Sequence, residues 1–277
     1  MKALITLSAW LLGSLLLSGN TPSVQTHFIS PNAGHSILAV FAHPDDEICV
    51  SPLLARYARE GVKVYLAIAT NGQQGVMPHA HIPAGDSLGK VRSEEARCAA
   101  QALHIEPPIL LGMQDGQLSV AANMPVLHKK LDSLFTALQP DVVITWGPDG
   151  GYGHADHRMV SDLVTEVFQQ GGNGWPKQLY YAGISEAALK DPPPFKTFAG
   201  IWLSKNLHPT KEQFLPYRIA YKDEDLQAAR TSYACHKSQW TSDAVEEIFI
   251  LLERAGKTVY LRPWFGGGKI KTDVFEY

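Results

Sequence analysis

The sequence predicts an α/β fold in which a mostly parallel sheet carries helices on both faces. Short apolar, β-branched runs recur along the chain, and helix-like stretches separate them. Histidine and aspartate also gather in the turns that follow those runs, which is where an open parallel sheet binds ligands.

Residues 37–41 (ILAVF) are the first expected strand, followed by AHPDDE. Residues 62–70 (VKVYLAIAT) are the second, followed by NGQQG, and residues 109–111 a short third, followed by GMQDG. Residues 142–146 (VVITW) lead into GPDGGYGHADH, and residues 178–184 (QLYYAGI) are the fifth. Between them, Ser51-Pro52 reads as an N-cap with proline at the first helical position, opening a helix over 51–59. Residues 93–103 are rich in helix formers. Residues 125–138 place Val126, Leu127, Leu131, Leu134 and Leu138 at helical spacing, and residues 157–168 put Val160, Leu163, Val164 and Val167 on one side. Residues 73–90, with Pro78, His79, Pro83 and Gly85, read as a long lid or binding loop; His79 and His81 there have no evident third partner for a metal. Beyond residue 184 the pattern weakens. Asp191-Pro-Pro-Pro is a rigid connector, and residues 226–235 and 244–253 are helical.

The 277 residues suit one large domain, and a hydrophobic content of 45% is enough for an ordinary core. The 24 basic and 27 acidic residues nearly cancel, which leaves no electrostatic footprint for nucleic acid or an anionic membrane. Lys2, an apolar stretch to Leu17, and then Ser18-Gly19-Asn20 read as a secretory signal over residues 1–20. The stretch is short for a spanning helix, although an uncleaved N-terminal anchor is the alternative. On this reading residues 21–277 form a single exported domain, periplasmic or secreted, with no stable membrane insertion after cleavage. Cys49, Cys98 and Cys235 have no short spacing, so a zinc knuckle is excluded. They are expected to be buried small hydrophobes and not a disulfide framework.

The strand-end turns hold His43, Asp45, Asp46 and Glu47, then Asn71, Asp115, Asp149, His154, Asp156 and His157. His43 and Asp46 can grip one ion across a Pro-containing turn, and His157 completes a three-ligand set. Two imidazoles and a carboxylate suit a catalytic zinc with its fourth position left to water. Iron or cobalt accepts the same donors. Asp45, beside a ligand, is the candidate general base. His154, as an imidazolium, is the candidate for stabilising an oxyanion or protonating a leaving amine. Asp156 is expected to hold a histidine in its tautomer, and Glu47 to make structural hydrogen bonds. Arg92 either clamps a substrate oxygen or is a solvated helix-start residue. Trp146, Tyr152 and Trp240 offer apolar faces for sugar rings, with Trp146 read as ordinary core.

Ala42-His43-Pro44-Asp45-Asp46-Glu47 after a strand resembles the signature of the PIG-L/LmbE-like N-acetylglucosaminyl deacetylases. The resemblance continues through Thr70-Asn71-Gly72, Arg92-Ser-Glu-Glu95-Ala96, Leu111-Gly-Met-Gln-Asp115-Gly116, Gly153-His154-Ala155-Asp156-His157 and His236-Lys-Ser-Gln239. It implies a Rossmann-like fold, zinc on His43, Asp46 and His157, Asp45 as base, and His154 as electrostatic or acid partner. It also implies substrate contacts from Arg92, and Asp115, Tyr152 and His236 are further substrate-binding candidates. Ala155 departs from the family, in which many members carry proline there. The expected activity is removal of an N-acetyl group from an amino-sugar substrate, free or in an oligosaccharide. An amidase for another acyl conjugate and a non-catalytic sugar-binding protein are the alternatives. A dinucleotide-binding oxidoreductase is disfavoured, because AHPDDE replaces the Gly-rich turn and its acidic residues repel a pyrophosphate.

Overall fold

The structure is a computed structural model that describes residues 32–171, 174–266 and 268–277; the expected signal segment lies outside these. Its elements are β1 (Ser36–Phe41), α1 (Ser51–Arg59), β2 (Lys63–Thr70), α2 (Asp86–Ala102), β3 (Ile109–Met113), α3 (Met124–Leu138) and β4 (Val142–Trp146). Then come the one-turn α4 (Gly150–Gly153), α5 (Ala155–Gln170), β5 (Gln178–Gly183), the one-turn α6 (Glu186–Leu189), and α7 (Phe198–Asn206). The chain finishes with β6 (Tyr217–Ala220), α8 (Asp223–Tyr233), α9 (Ser242–Arg254) and β7 (Thr258–Pro263).

The strands form one sheet in the order β3-β2-β1-β4-β5-β7-β6. The first five in that order are mutually parallel, and β7 and β6 extend the edge antiparallel. In β1 the pleat sends Ile37, Ala39 and Phe41 to one face and Leu38 and Val40 to the other, and all five are fully buried. The first set packs on Leu53, Leu54 and Tyr57 of α1 and on residues of α8 and α9. The second packs on Leu127 and Leu131 of α3 and on Val160 and Val164 of α5. Helices therefore cover both faces, as the uninterrupted apolar runs require. The order reverses between β1 and β4, which run from a common edge in opposite directions of strand order. That switch point opens a crevice at the carboxyl ends of these two strands.

Three expectations need correction. The helix expected from residue 93 begins at Asp86, so the long loop ends at Gly85. Gly89 and a polar first turn masked this start, and burial of Leu88 and Arg92 supplies what propensity does not. Ser51 is the first residue of α1 and not its cap; Val50 is the cap position. Ser51 Oγ instead donates to the Ile48 carbonyl. Finally, Cys98 and Cys235 form a disulfide across 137 residues, with Cα atoms 5.8 Å apart. Packing of α2 on α8 brings them together, and linear spacing holds no trace of it. Cys49 is the free cysteine, and it is half-buried.

Candidate metal centre and acid–base site

The turn after β1 and the start of α5 after β4 meet at the switch point. His157 is fully buried, with Nδ1 3.1 Å from the Gly150 carbonyl oxygen. A carbonyl only accepts, so the proton belongs on Nδ1 and the Nε2 lone pair faces inward. His43 has its Nε2 3.0 Å from Asp115 Oδ1 and 3.5 Å from Asp156 Oδ2. Neither approach is aligned as a full hydrogen bond, yet two carboxylates draw the ring proton to that side. In the neutral ring the lone pair is then on His43 Nδ1, which faces His157 Nε2 at 3.1 Å.

Asp46 closes the group. Its Oδ1 lies 3.2 Å from His157 Nε2 and its Oδ2 3.7 Å from His43 Nδ1. Oδ2 also accepts from the amides of Ala42 and His43 at 3.0 and 2.9 Å and from Trp146 Nε1 at 3.1 Å. Burial opposes ionisation of Asp46, but His157 and His43 outweigh it and hold the carboxyl well below the usual range. Two ring nitrogens 3.1 Å apart thus converge with the Asp46 carboxylate, which presents Oδ1 to His157 at 3.2 Å and Oδ2 to His43 at 3.7 Å. Tetrahedral zinc with bonds of about 2.0–2.1 Å needs ligand–ligand edges of about 3.3–3.4 Å. The donor types are those zinc takes, and the His43–His157 and His157–Asp46 separations of 3.1 and 3.2 Å lie close to those edges. Burial likewise works against protonation of His43, yet Asp115, Asp156 and Asp46 raise its pKa well above the ordinary imidazole value, so a cation bound at Nδ1 must displace a proton there. His43, His154 and His157 also offer atoms all within 4.8 Å of one another, as do His43, Asp115 and Asp156.

Asp115 and Asp156 are committed elsewhere. Asp115 Oδ2 accepts from Gln74 N at 2.8 Å, while Asp156 accepts from Gly116 N at 2.7 Å and Leu118 N at 3.1 Å. They act on His43 from behind, fixing its ring. Trp146, read from sequence as core, does two jobs. It is buried, and it also lies flat on His157 with 3° between the planes. Gly151 permits this with φ +71° and a Cβ position that would fall 2.8 Å from the indole.

Asp45 sits beside these groups with φ 94°, a conformation that costs a non-glycine residue of order 1–3 kcal/mol. Its Oδ1 is 3.2 Å from Arg92 Nη2, and its Oδ2 accepts from Trp240 Nε1 at 2.9 Å. Burial raises its pKa, against the opposing pull of Arg92 and His236. His154 caps α5, and its Nδ1 accepts from Asp156 N at 3.2 Å, leaving Nε2 uncommitted by that bond. Burial, then His43 and His157, lower its pKa, so the resting ring favours the neutral form and not the imidazolium expected from sequence.

Direct substrate contact, expected of Arg92, Asp115 and His236, is not what their surroundings favour. Arg92 is 4% exposed and donates to the carbonyls of Gly72 at 2.9 Å and Pro44 at 2.6 Å as well as to Asp45. His236 is fully buried with Nε2 2.9 Å from Glu47 Oε1, and Glu47 Oε2 accepts from Asp45 N at 3.1 Å. A stripe along α2 organises this region. Arg92 holds the Asp45 turn, Glu95 accepts from Ser238 N and Oγ at 2.7 Å each, and Cys98 bonds Cys235. The loop carrying His236 and Trp240 is thereby tied to the same helix. Tyr152 is the substrate candidate that remains accessible, and it lines a cavity of about 190 Å³ together with Asp45 and Asp46.

Residues 38–168 match the profile of the family described as PIG-L: GlcNAc-PI de-N-acetylase. A 1D-myo-inositol 2-acetamido-2-deoxy-alpha-D-glucopyranoside deacetylase of Rhodococcus opacus is 34% identical over 181 residues, 55% of this chain and 62% of that relative. The chain thus spans less than two thirds of that relative's length. Among solved structures, N,N'-diacetylchitobiose deacetylase from Pyrococcus horikoshii superposes with a TM-score of 0.59 at 19% identity, covering 82% of this chain and 83% of that one. The 4-carboxy-2-hydroxymuconate hydratase of Pseudomonas putida superposes at 0.57 with 14% identity, covering 86% of this chain and 100% of that one. These two likenesses establish the fold alone, and that fold hosts more than one reaction. The sequence match, the switch-point sheet and the signature residues gathered at its crevice agree: the chain carries a PIG-L family domain at residues 38–168.

Proposed function

We propose that the protein is a metal-dependent hydrolase that removes the N-acetyl group from an N-acetylglucosamine-type amino sugar or glycoconjugate. The observation that carries the reading is the facing pair of ring nitrogens, His43 Nδ1 and His157 Nε2, 3.1 Å apart beside the Asp46 carboxylate. The Rhodococcus opacus relative, named as a deacetylase of a 2-acetamido sugar linked to inositol, supports the substrate class.

His43 Nδ1, Asp46 Oδ1 and His157 Nε2 would hold the ion, with zinc the first choice and iron or cobalt compatible. Bound zinc supplies a Lewis acid and lowers the pKa of a water from about 15.7 towards about 7. Asp45, steadied by Arg92 and Trp240, takes the proton from the attacking water. Asp45 then hands that proton to the departing amine nitrogen, and the His154 ring, edge-on to His43 at 4.8 Å, can donate a hydrogen bond from Nε2 to the developing oxyanion. The amide C–N bond breaks, and acetate and a free amine leave.

Export is part of the proposal, with residues 1–20 as the signal and 21–277 as one domain. The basic, apolar N-terminus supports it, as does the Cys98–Cys235 disulfide, because such bonds persist mainly in oxidising compartments. Mass spectrometry of the protein recovered from its native host reads the mature N-terminus directly.

The test of the activity is acetate release from a panel of N-acetylated sugars by the purified protein and by Asp45→Ala. The wild type should release acetate, and the variant should lose about 10²–10⁴-fold. Near-normal turnover by the variant would remove Asp45 from its role. Sugar binding without acetate release from any substrate would favour a non-catalytic binding protein.

A further inference from the structure

The cavity that borders Asp45 and Asp46 is not shaped for a sugar. Asp45 and Asp46 are the only charged residues in its wall, among the described residues. The rest is dominated by aliphatic and aromatic side chains such as Ile184, Leu189, Leu203, Ile248, Leu252 and Tyr260. A sugar ring presents hydroxyls all round and needs donors and acceptors to replace water, and beyond the two carboxylates this wall offers only scattered hydroxyls from Ser185, Thr258 and its tyrosines. At about 190 Å³ the space is larger than an apolar cavity of about 150 Å³ that takes up benzene, and far larger than the methyl group of an acetate needs.

Two further observations define its purpose. The acid–base end is made by the turn after β1 and by Trp146 and Tyr152, within the family-matched residues 38–168. From Gly183 to Tyr260 the wall comes from outside that match, from the ends of β5 and β7 and from α6, α7 and α9. An apolar chamber walled largely by the C-terminal part of this chain thus adjoins the proposed base Asp45 and the proposed ligand Asp46.

We propose that this cavity is an acyl-chain subsite, and that the protein hydrolyses N-acyl amino sugars whose acyl group is longer than acetyl, of about six carbons. The proposal rests on the hydrolase reading above and extends its substrate from the acetyl group to longer acyl chains. Water supplies oxygen to the acyl carbon, the C–N bond breaks, the nitrogen takes a proton, and a short fatty carboxylate and a free amino sugar leave. The sugar stays at the mouth of the cavity and the chain lies along Leu203 and Leu252.

The experiment compares kcat/KM of the zinc-loaded protein on glucosamines N-acylated with two, four, six and eight carbons, and on an N-acetylglucosamine with a hexyl group at C1. The constant should rise about fourfold per methylene up to about six carbons. Leu203→Trp and Leu252→Trp, each checked by thermal melting, should collapse the hexanoyl-to-acetyl ratio by filling the chamber. A flat or falling series on an enzyme that releases acetate well would overturn the subsite while leaving the deacetylase reading intact. A gain from the C1-hexyl group in place of the N-acyl chain would overturn it in favour of an apolar aglycone. Calorimetric binding of hexanoate against acetate keeps the subsite testable if no amide is cleaved. Hexanoate should bind at least tenfold more tightly, with the difference lost in Leu252→Trp, and equal affinities would count against it.

Discussion

The imidazole of His157 lies parallel to the indole of Trp146, 4.8 Å between centroids, while the same indole donates through Nε1 to Asp46 Oδ2 at 3.1 Å. One side chain thereby orients two of the three proposed ligands. Trp146→Phe keeps an aromatic ring against His157 and removes the N–H. Losing such an outer hydrogen bond typically costs about 10–100-fold in metal affinity. Zinc binding measured by competition with a chromogenic chelator should weaken by about tenfold, with turnover at saturating zinc changed much less. Unaltered zinc affinity would show that the indole packs without orienting.

Trp240 makes the corresponding bond to the other carboxylate, donating to Asp45 Oδ2 at 2.9 Å. Trp240→Phe should lower kcat by about tenfold through a less well-placed base, a fraction of the whole acid–base contribution. Zinc stoichiometry should stay the same, which separates this change from the one at Trp146. Equal losses in zinc binding and kcat would contradict the division of roles.

The Cys98–Cys235 bond holds the loop of His236 and Trp240 to α2. Titration of the denatured, unreduced protein should find a single thiol, that of Cys49. Replacing both bonded cysteines by serine should remove roughly 2–4 kcal/mol of stability. For a domain of this size that is a drop in Tm of about 5–15 °C. Three titrating thiols, or a double variant with unchanged Tm, would contradict the bond.

Asp141 ties the starts of β1 and β4 together. It accepts from Ser36 N at 2.9 Å and Lys177 Nζ at 2.7 Å, with His35 Nδ1 at 3.4 Å. Burial raises its pKa, but Lys177, Ser36 and His35 together bring it below the ordinary aspartate value of 3.8. A carboxyl lowered on folding contributes its stability in full above the unfolded value. That contribution disappears as pH falls from about 3.8 through the folded value. Urea melts of wild type and Asp141→Asn should therefore differ at pH 7 and converge as the pH drops below about 3.8. A gap independent of pH would mean that the carboxylate charge is not what Asp141 contributes.

How much of this was legible in sequence differs by element. The five parallel strands were readable because burial on both faces makes them apolar throughout, and β4 ends where expected, at Trp146. Their ends located His43, Asp46 and His157, since the switch-point rule depends only on strand direction. β6 and β7 escaped notice because β7 buries alternate residues and β6 is only 4 residues long. The fate of Arg92 was equally hidden. Nothing local tells a substrate-facing arginine from one turned onto Gly72, whose own Cβ would meet the guanidinium. The disulfide and the cavity depend on the packing of α2, α7, α8 and α9, a tertiary fact with no linear signature.

The most direct test of the central claim is a zinc titration of chelator-treated protein, with hydrolysis of an N-acylated glucosamine followed at each addition. Activity should be absent at the start, rise in proportion to zinc, and break at one equivalent. His157→Ala should bind zinc far more weakly and show no break. Full activity in the chelated protein, or no zinc binding by the wild type, would contradict the assignment of His43, Asp46 and His157 as the metal centre.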